Sequence, residues 1–428
     1  MRLKPQRLSA VLMSFVMLGL LLSACGKPDN ENTLWWLNAT SQAIPQGTVT
    51  PTPFLPPTRV PGAPILTPTP DAPRELPGQR SETVYYTVQA GDSLAGIGQG
   101  YGVSVNTLAE ANGINPADWL YAGQVLIIPP PEVQIGASGF KIIPDSELVY
   151  GPVSAYFNVG EFVEQQGGYL SRHWEVVDEM ETSGAAVLER VAQENSINPR
   201  LLLAVLEYQS GWVTGGEPSE DQKKHPLATM EYWRVGLYHQ LSWAANALNR
   251  GYYLWRAEAL GQIPLADGSA APLDPTLNAG TAGVQYYLGQ FYGAADWQHA
   301  VSEDGLFATY QSLFGYPFDL AIEPLIPEGL SQPTMVLPFN VGETWSFTGG
   351  PHGGWTDGSG WAALDFAPPG EPQGCVVSPN WVTAVADGVV VRSGHGMVVL
   401  DLDGDGLEQT GWTVLYLHVD SWQRAPVG

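Results

Sequence analysis

Positive charge is scarce in this sequence. Lys and Arg total 18 against 43 Asp and Glu, a formal net charge of -25 with a pI near 4.4, and no basic run follows the first few residues. Such a surface cannot neutralise a row of phosphates, which excludes nucleic acid as an expected partner. Charged residues of both signs make up only 14% of the chain, whereas Trp, Tyr and Phe reach 11%. That balance suits surfaces that stack on sugars, although most of the rings fill cores. Cysteine is limited to Cys25 and Cys375, and no His-x-His occurs anywhere.

What is present begins with an N-terminal pattern. Arg2, Lys4 and Arg7 precede an apolar run from Leu8 to Leu22, too short to span a bilayer comfortably, and Leu22-Ser23-Ala24 sets small residues before Cys25. Residues 1–25 therefore read as a signal peptide, and the tetrapeptide resembles a bacterial lipobox. The resemblance implies cleavage before Cys25 and acylation of Cys25. A membrane is then a partner through this lipid anchor, and the rest of the chain is extracytoplasmic, in the bacterial cell envelope. With Cys25 so engaged, Cys375 is an odd thiol, unpaired or matched by a partner outside this chain.

The 428 residues allow two or three domains at about 150 residues each. Residues 26–82 are rich in Pro and Thr, cannot bury a core and favour extended polyproline geometry, so they read as a spacer. Pro129-Pro130-Pro131 and the trio Pro324, Pro327 and Pro333 mark further boundaries. The expected fold class is multidomain α+β.

Residues 84–130 predict strand, helix, helix, strand: Tyr86 to Val88, a helix capped by Asp92 or Ser93 with Leu94 and Ile97 inward, a second helix ended by Gly113, and Val125 to Ile128. The opening Tyr86-Thr87-Val88, the turn Ala111-Asn112-Gly113-Ile114-Asn115-Pro116 and the ending Gly123-Gln124-Val125-Leu126 resemble LysM domains over the whole unit. The resemblance implies binding of N-acetylglucosamine glycans of peptidoglycan in a groove between two turns. Gly91, Asp92, Ser93 and Leu94 would form one side, with Ile114, Asn115 and Pro116 opposite. Asp92 and Asn115 also suit simple capping and turning.

Residues 137–330 look mainly helical. Val187, Leu188 and Val191 share a face, Asn198 caps a helix with Pro199 in its first turn, and longer helices are expected at Tyr232 to Asn249 and Thr281 to Phe291. The run Asn198 to Trp212 resembles the active-site helix of lysozyme-like lytic transglycosylases. That family implies a glutamate acid before the serine, whereas Gln209 stands there, and an amide cannot donate and recover a proton. Glu207 lies about 200 degrees round the helix from it.

Residues 336–428 turn to strands and glycine turns: Ala384 to Val391, Met397 to Leu402 and Thr413 to Val419. Gly350-Pro351-His352-Gly353, Leu364-Asp365-Phe366-Ala367-Pro368 and Leu415-Tyr416-Leu417-His418 resemble an all-β lysostaphin-type (LytM-like) zinc endopeptidase domain. The resemblance implies Zn2+ held by a histidine, an aspartate and the second histidine of a late His-x-His, with a water in the fourth position made nucleophilic by the metal. His352 and Asp365 take the first two places, His418 that of the catalytic histidine, and the third ligand is absent from this chain. Twelve residues separate His352 from Asp365, so a hairpin must rejoin them, and Asp357 is a rival at closer spacing. The missing motif makes an incomplete domain the expectation. His395 suits a turn between strands better than a metal. Asp401, Asp403 and Asp405 stand in an Asp-x-Asp-x-Asp-Gly run, but Trp412 occupies the position where an EF-hand needs Glu, so an acidic turn is favoured over calcium.

Three functions follow. The first is an envelope lipoprotein of the zinc endopeptidase type, acting on peptidoglycan stem peptides while the LysM unit holds glycan strands. The second is a non-catalytic peptidoglycan-binding scaffold or hydrolase regulator. The third, a glycosidase working through the middle region, has Gln209 against it.

Overall fold

A computed structural model describes residues 70–74, 76, 82–89, 92–116, 118–130, 136–229, 234–354, 360–370, 376 and 378–428. The signal peptide with Cys25, most of the Pro/Thr segment, Gly91, Asp357 and Cys375 lie outside the described residues. The fold mixes helices with small antiparallel sheets. It divides into two compact units, a larger one within Thr52–Leu330 and Phe347–Phe366, and a smaller one of Ser331–Ser346 and Ala367–Gly428. Residues 336–428, expected as one domain, are thus divided between the two. Among the described residues no helix is long and apolar enough to cross a membrane.

The larger unit opens with the expected strand, helix, helix, strand order: β1 (Val84–Thr87), α1 (Leu94–Tyr101), α2 (Val105–Asn112) and β2 (Val125–Ile128). β1 and β2 pair antiparallel with Val84 opposite Ile128 and Thr87 opposite Val125. Alternation along β2 sends Leu126 and Ile128 into a core with Val88, Leu94, Ile97, Val103 and Leu108. Ser104 accepts the Thr107 N–H to start α2, and Gly113, left-handed at φ 62, closes it.

The body that follows contains α3 (Val159–Gln166), β3 (Trp174–Val177), β4 (Met180–Ser183), α4 (Gly184–Asn195), α5 (Pro199–Ser210), α6 (Glu220–Lys224) and α7 (Leu237–Arg256). It continues with β5 (Gln262–Pro264), β6 (Ala270–Pro272), α8 (Ala279–Gly289), α9 (Ala294–Ala300) and α10 (Leu306–Phe314). Small hairpins therefore interrupt a region expected to be mainly helical. α8 is buried on every side and crosses α7 closely; a Cβ at Gly283 would meet the Leu248 carbonyl at 2.7 Å, and one at Gly251 the Tyr286 Cβ at 2.5 Å. α7 begins later than expected because the Glu175 carboxylate, from β3, accepts the Leu237 and Tyr238 N–H groups at 2.8 and 2.7 Å. A cap from another element leaves no local mark in the sequence. A buried pair locks α5 in place: Arg200 donates to both oxygens of Glu147 at 3.0 and 2.7 Å, and Tyr310 on α10 donates to the same carboxylate.

The end of the segment expected as a spacer docks on this body. Asp71 and Arg74 donate backbone N–H groups to Thr276 and Pro275, each at 3.0 Å, and Lys141 pairs with Asp71 at 2.5 Å.

Hairpin β7 (Ser346–Gly353) and β8 (Trp361–Ala367) falls, but for its terminal residues, in the larger unit. The smaller unit is built on an antiparallel sheet of β9 (Val389–Gly394), β10 (Met397–Asp401) and β11 (Thr413–Leu417), with β10 central and wholly buried. β9 starts five residues after the expected Ala384, and Gly388 just before it lies so near β10 that a Cβ would sit 2.4 Å from the Asp401 carbonyl.

Candidate functional site

On the β1–α1 side of the proposed glycan groove, Asp92 Oδ2 accepts the Tyr86 hydroxyl at 2.8 Å and the Gln89 N–H at 2.7 Å, which raises the Tyr86 pKa. Ser93 Oγ accepts the Gly96 N–H at 3.0 Å. Both residues therefore shape the turn. Leu94, expected at the groove, has its side chain 5% exposed in the core, so a sugar meets only backbone there. Opposite, Asn115 N–H donates to Asp118 Oδ2 at 2.8 Å and Asp118 N–H returns to the Asn115 carbonyl at 2.9 Å. That reciprocal turn leaves Asn115 and Pro116 exposed and Ile114 half-buried against the core.

Asn112 was not singled out from the sequence. Its side-chain amide accepts the Ile127 N–H and donates to the Ile127 carbonyl, each at 2.7 Å, acting as a third strand beside β2. A polar residue ending an amphipathic helix is the signal that marked it.

At the end of α5, Gln209 Oε1 accepts the Tyr292 hydroxyl at 3.3 Å, and burial pushes the neighbouring Tyr208 up to about 12. Glu207 is fully engaged: it accepts Val213 N–H at 2.9 Å, Thr214 N–H at 3.0 Å and the Thr214 hydroxyl at 2.5 Å. Of the two, Gln209 is an amide without an acidic proton, and Glu207 is committed to three donors of the Val213–Thr214 turn.

The hairpin β7–β8 joins His352 to Asp365 across the twelve intervening residues: Nε2 lies 2.7 Å from Asp365 Oδ2, while Nδ1 faces the Gly353 carbonyl at 2.8 Å. Gly349 leaves the carboxylate its room, since a Cβ there would sit 2.8 Å from Asp365 Oδ2. Acceptors at both ring nitrogens, the Gly353 carbonyl foremost, raise the His352 pKa. Both side chains are about half exposed, at 46% and 52%. One nitrogen and one oxygen donor suit zinc, but among the described residues no third ligating side chain completes a cluster with them. Two ligands are short of an open catalytic site, which needs three protein ligands and a water.

His418 follows β11 in the smaller unit, in the left-handed conformation at φ 61, and Tyr416 in the same strand accepts the Val385 N–H at 2.9 Å. His395 and Gly396 form a two-residue turn between β9 and β10, both at positive φ, as the glycine-flanked sequence implied. Asp401, Asp403 and Asp405 close up in the β10–β11 connection with ligand oxygens within 4.8 Å of one another. Asp401 is spent on the loop itself, accepting the Asp403, Gly404 and Gly406 N–H groups.

Family comparisons fall on two segments. Residues 86–129 match the LysM domain. Residues 141–326 match the LasA N-terminal domain, LasA being a staphylolytic LytM-type peptidase. The first makes the small βααβ unit a LysM domain, a domain that binds peptidoglycan through N-acetylglucosamine. The second covers most of residues 137–330, including the run that resembled lysozyme-like enzymes, and points to a cell-wall peptidase family. Together they point to a cell-envelope protein. No curated protein and no solved structure matches the chain.

Proposed function

We propose that this chain is a lipid-anchored envelope protein of the zinc endopeptidase type, held on peptidoglycan glycan strands by its LysM domain and directed at stem peptides. The observation that carries it is the succession of a LysM match and a LasA N-terminal match, ahead of a hairpin that pairs His352 with Asp365. Asp92, Ser93, Asn115 and Pro116 contact the glycan, with Gly91, Ile114 and the backbone of Leu94 completing the groove. His352 and Asp365, joined by the hairpin, would be the protein ligands of the metal, and Cys25 would carry the lipid.

The second reading, a non-catalytic wall-binding scaffold, is favoured by the two-ligand count among the described residues. Incubation with purified peptidoglycan separates the two. New free amines, lost in His352→Ala, support the peptidase. Binding without new amines supports the scaffold, and loss of pull-down on deleting 86–129 supports the LysM role in either. New reducing ends would revive the glycosidase. Radiolabelled palmitate incorporation abolished by Cys25→Ser tests the anchor.

A further inference from the structure

Trp119 and Tyr121 stand out on the LysM surface, 86% and 74% exposed, in the α2–β2 loop. Isolated exposed apolar residues are ordinary, but two large aromatics one residue apart on a pinned loop are not. The reciprocal Asn115–Asp118 hydrogen bonds fix the loop immediately before Trp119, and Gln124 Oε1 accepts the Tyr121 N–H at 3.2 Å just after it. Leu120, between the two, packs on the LysM core and turns its neighbours outward.

We propose that Trp119, with Tyr121 beside it, is an additional sugar-stacking platform of the LysM domain, taking an N-acetylhexosamine ring beyond those held at the two turns. The proposal rests on the glycan-binding reading above and extends it. Three observations select this occupant. Trp119 directly follows Asp118, whose hydrogen bonds close the turn bearing Asn115 and Pro116, so the exposed ring and the exposed turn belong to the same loop. The segment 84–130 contains Asp92, Glu110 and Asp118 but no Lys, Arg or His, so it repels anionic wall polymers and anionic lipid alike. A neutral sugar ring offers a flat face of C–H groups, which an indole face receives by dispersion while the sugar's polar edge stays in water.

The test is calorimetric titration of the full chain with N-acetylglucosamine oligomers from dimer to hexamer. Wild type is expected to gain affinity with length. Trp119→Ala should flatten that gain and weaken the hexamer about tenfold, Trp119→Phe should keep most of it, and raised salt should change little. Asn115→Ala should weaken short and long oligomers alike. Trp119→Ala binding the hexamer as wild type does, with Asn115→Ala impaired, overturns the platform and leaves the groove reading intact. No binding of any oligomer by wild type overturns both. Co-sedimentation with phosphatidylcholine vesicles that requires Trp119, without a change in oligomer affinity, also overturns it and assigns the aromatics to a lipid surface. Unchanged circular dichroism and melting of the Trp119 variants confirm that the fold is not the cause.

Discussion

The buried Glu147–Arg200–Tyr310 cluster sets the stability of the body that carries α5, and Glu147→Gln is the perturbation that exposes this. The side chains of Arg200 and Glu147 are 6% and 0% exposed, and the guanidinium makes two hydrogen bonds to the carboxylate. Removing the negative partner strands a desolvated cation, which costs about 3–5 kcal/mol. At about 2–4 °C per kcal/mol for a unit of this size, the transition of the larger unit should fall by about 6–20 °C. Differential scanning calorimetry reads it directly. The control is Glu147→Leu, Arg200→Leu and Tyr310→Phe together, which removes all three polar groups and leaves nothing unpaired. It should recover to within about 2 kcal/mol of wild type, because a buried ion pair and its apolar replacement differ little in net stability. A shift under about 3 °C for Glu147→Gln, or a triple variant less stable than the single one, would refute the reasoning.

Three further outcomes follow from the geometry. Gln209→Glu should release no reducing ends from peptidoglycan, and its melting temperature should fall slightly because the new carboxyl is placed in a half-buried site; glycan cleavage by this variant would show that α5 needs only its acid. Glu207→Gln weakens the acceptor of three donors and should lower stability by about 1–3 kcal/mol in chemical denaturation, and a neutral result would mean that the Val213–Thr214 turn holds itself. Burial, reinforced by Asp401, pushes the Asp403 carboxyl up to about 6. A carboxyl with a raised folded pKa gives its stability in full below its unfolded pKa, near 4, and loses it as pH rises through about 6. The smaller unit should therefore melt lower at pH 7 than at pH 4, by only a few tenths of a kcal/mol because the burial is partial and solvent screens most of the effect, and Asp403→Asn should remove the difference.

The LysM domain was nearly all legible in the sequence because its determinants are local. Alternating strands, Ser93 at the start of α1 and Gly113 as a left-handed stop each act within a few residues. Leu94 opens a helix beside the groove, and the apolar periodicity that marks α1 also turns its side chain inward. The body was less legible. Its α7 start depends on Glu175, 62 positions away, and α5 is anchored by Glu147, 53 positions away. Pairings of that range carry no periodic signal, and two short hairpins lay hidden among helical patterns.

The His352–Asp365 pair shows how far spacing alone constrains a site. Twelve residues between two expected ligands argue against a metal centre only if the chain runs straight, and the β7–β8 hairpin removes that objection at 2.7 Å. The same closeness sets a condition on metal binding. His352 Nε2 faces the carboxylate with a proton between them, so a zinc ion must displace that proton and coordinate both atoms at about 2.0–2.2 Å. With only two protein ligands, that exchange gains little over the hydrogen bond already made. Zinc at one equivalent on the purified chain, lost in His352→Ala, would therefore require a third donor from outside the described pair. Absence of zinc would instead leave the hairpin as a hydrogen-bonded scaffold and glycan retention as the activity that the LysM domain supplies.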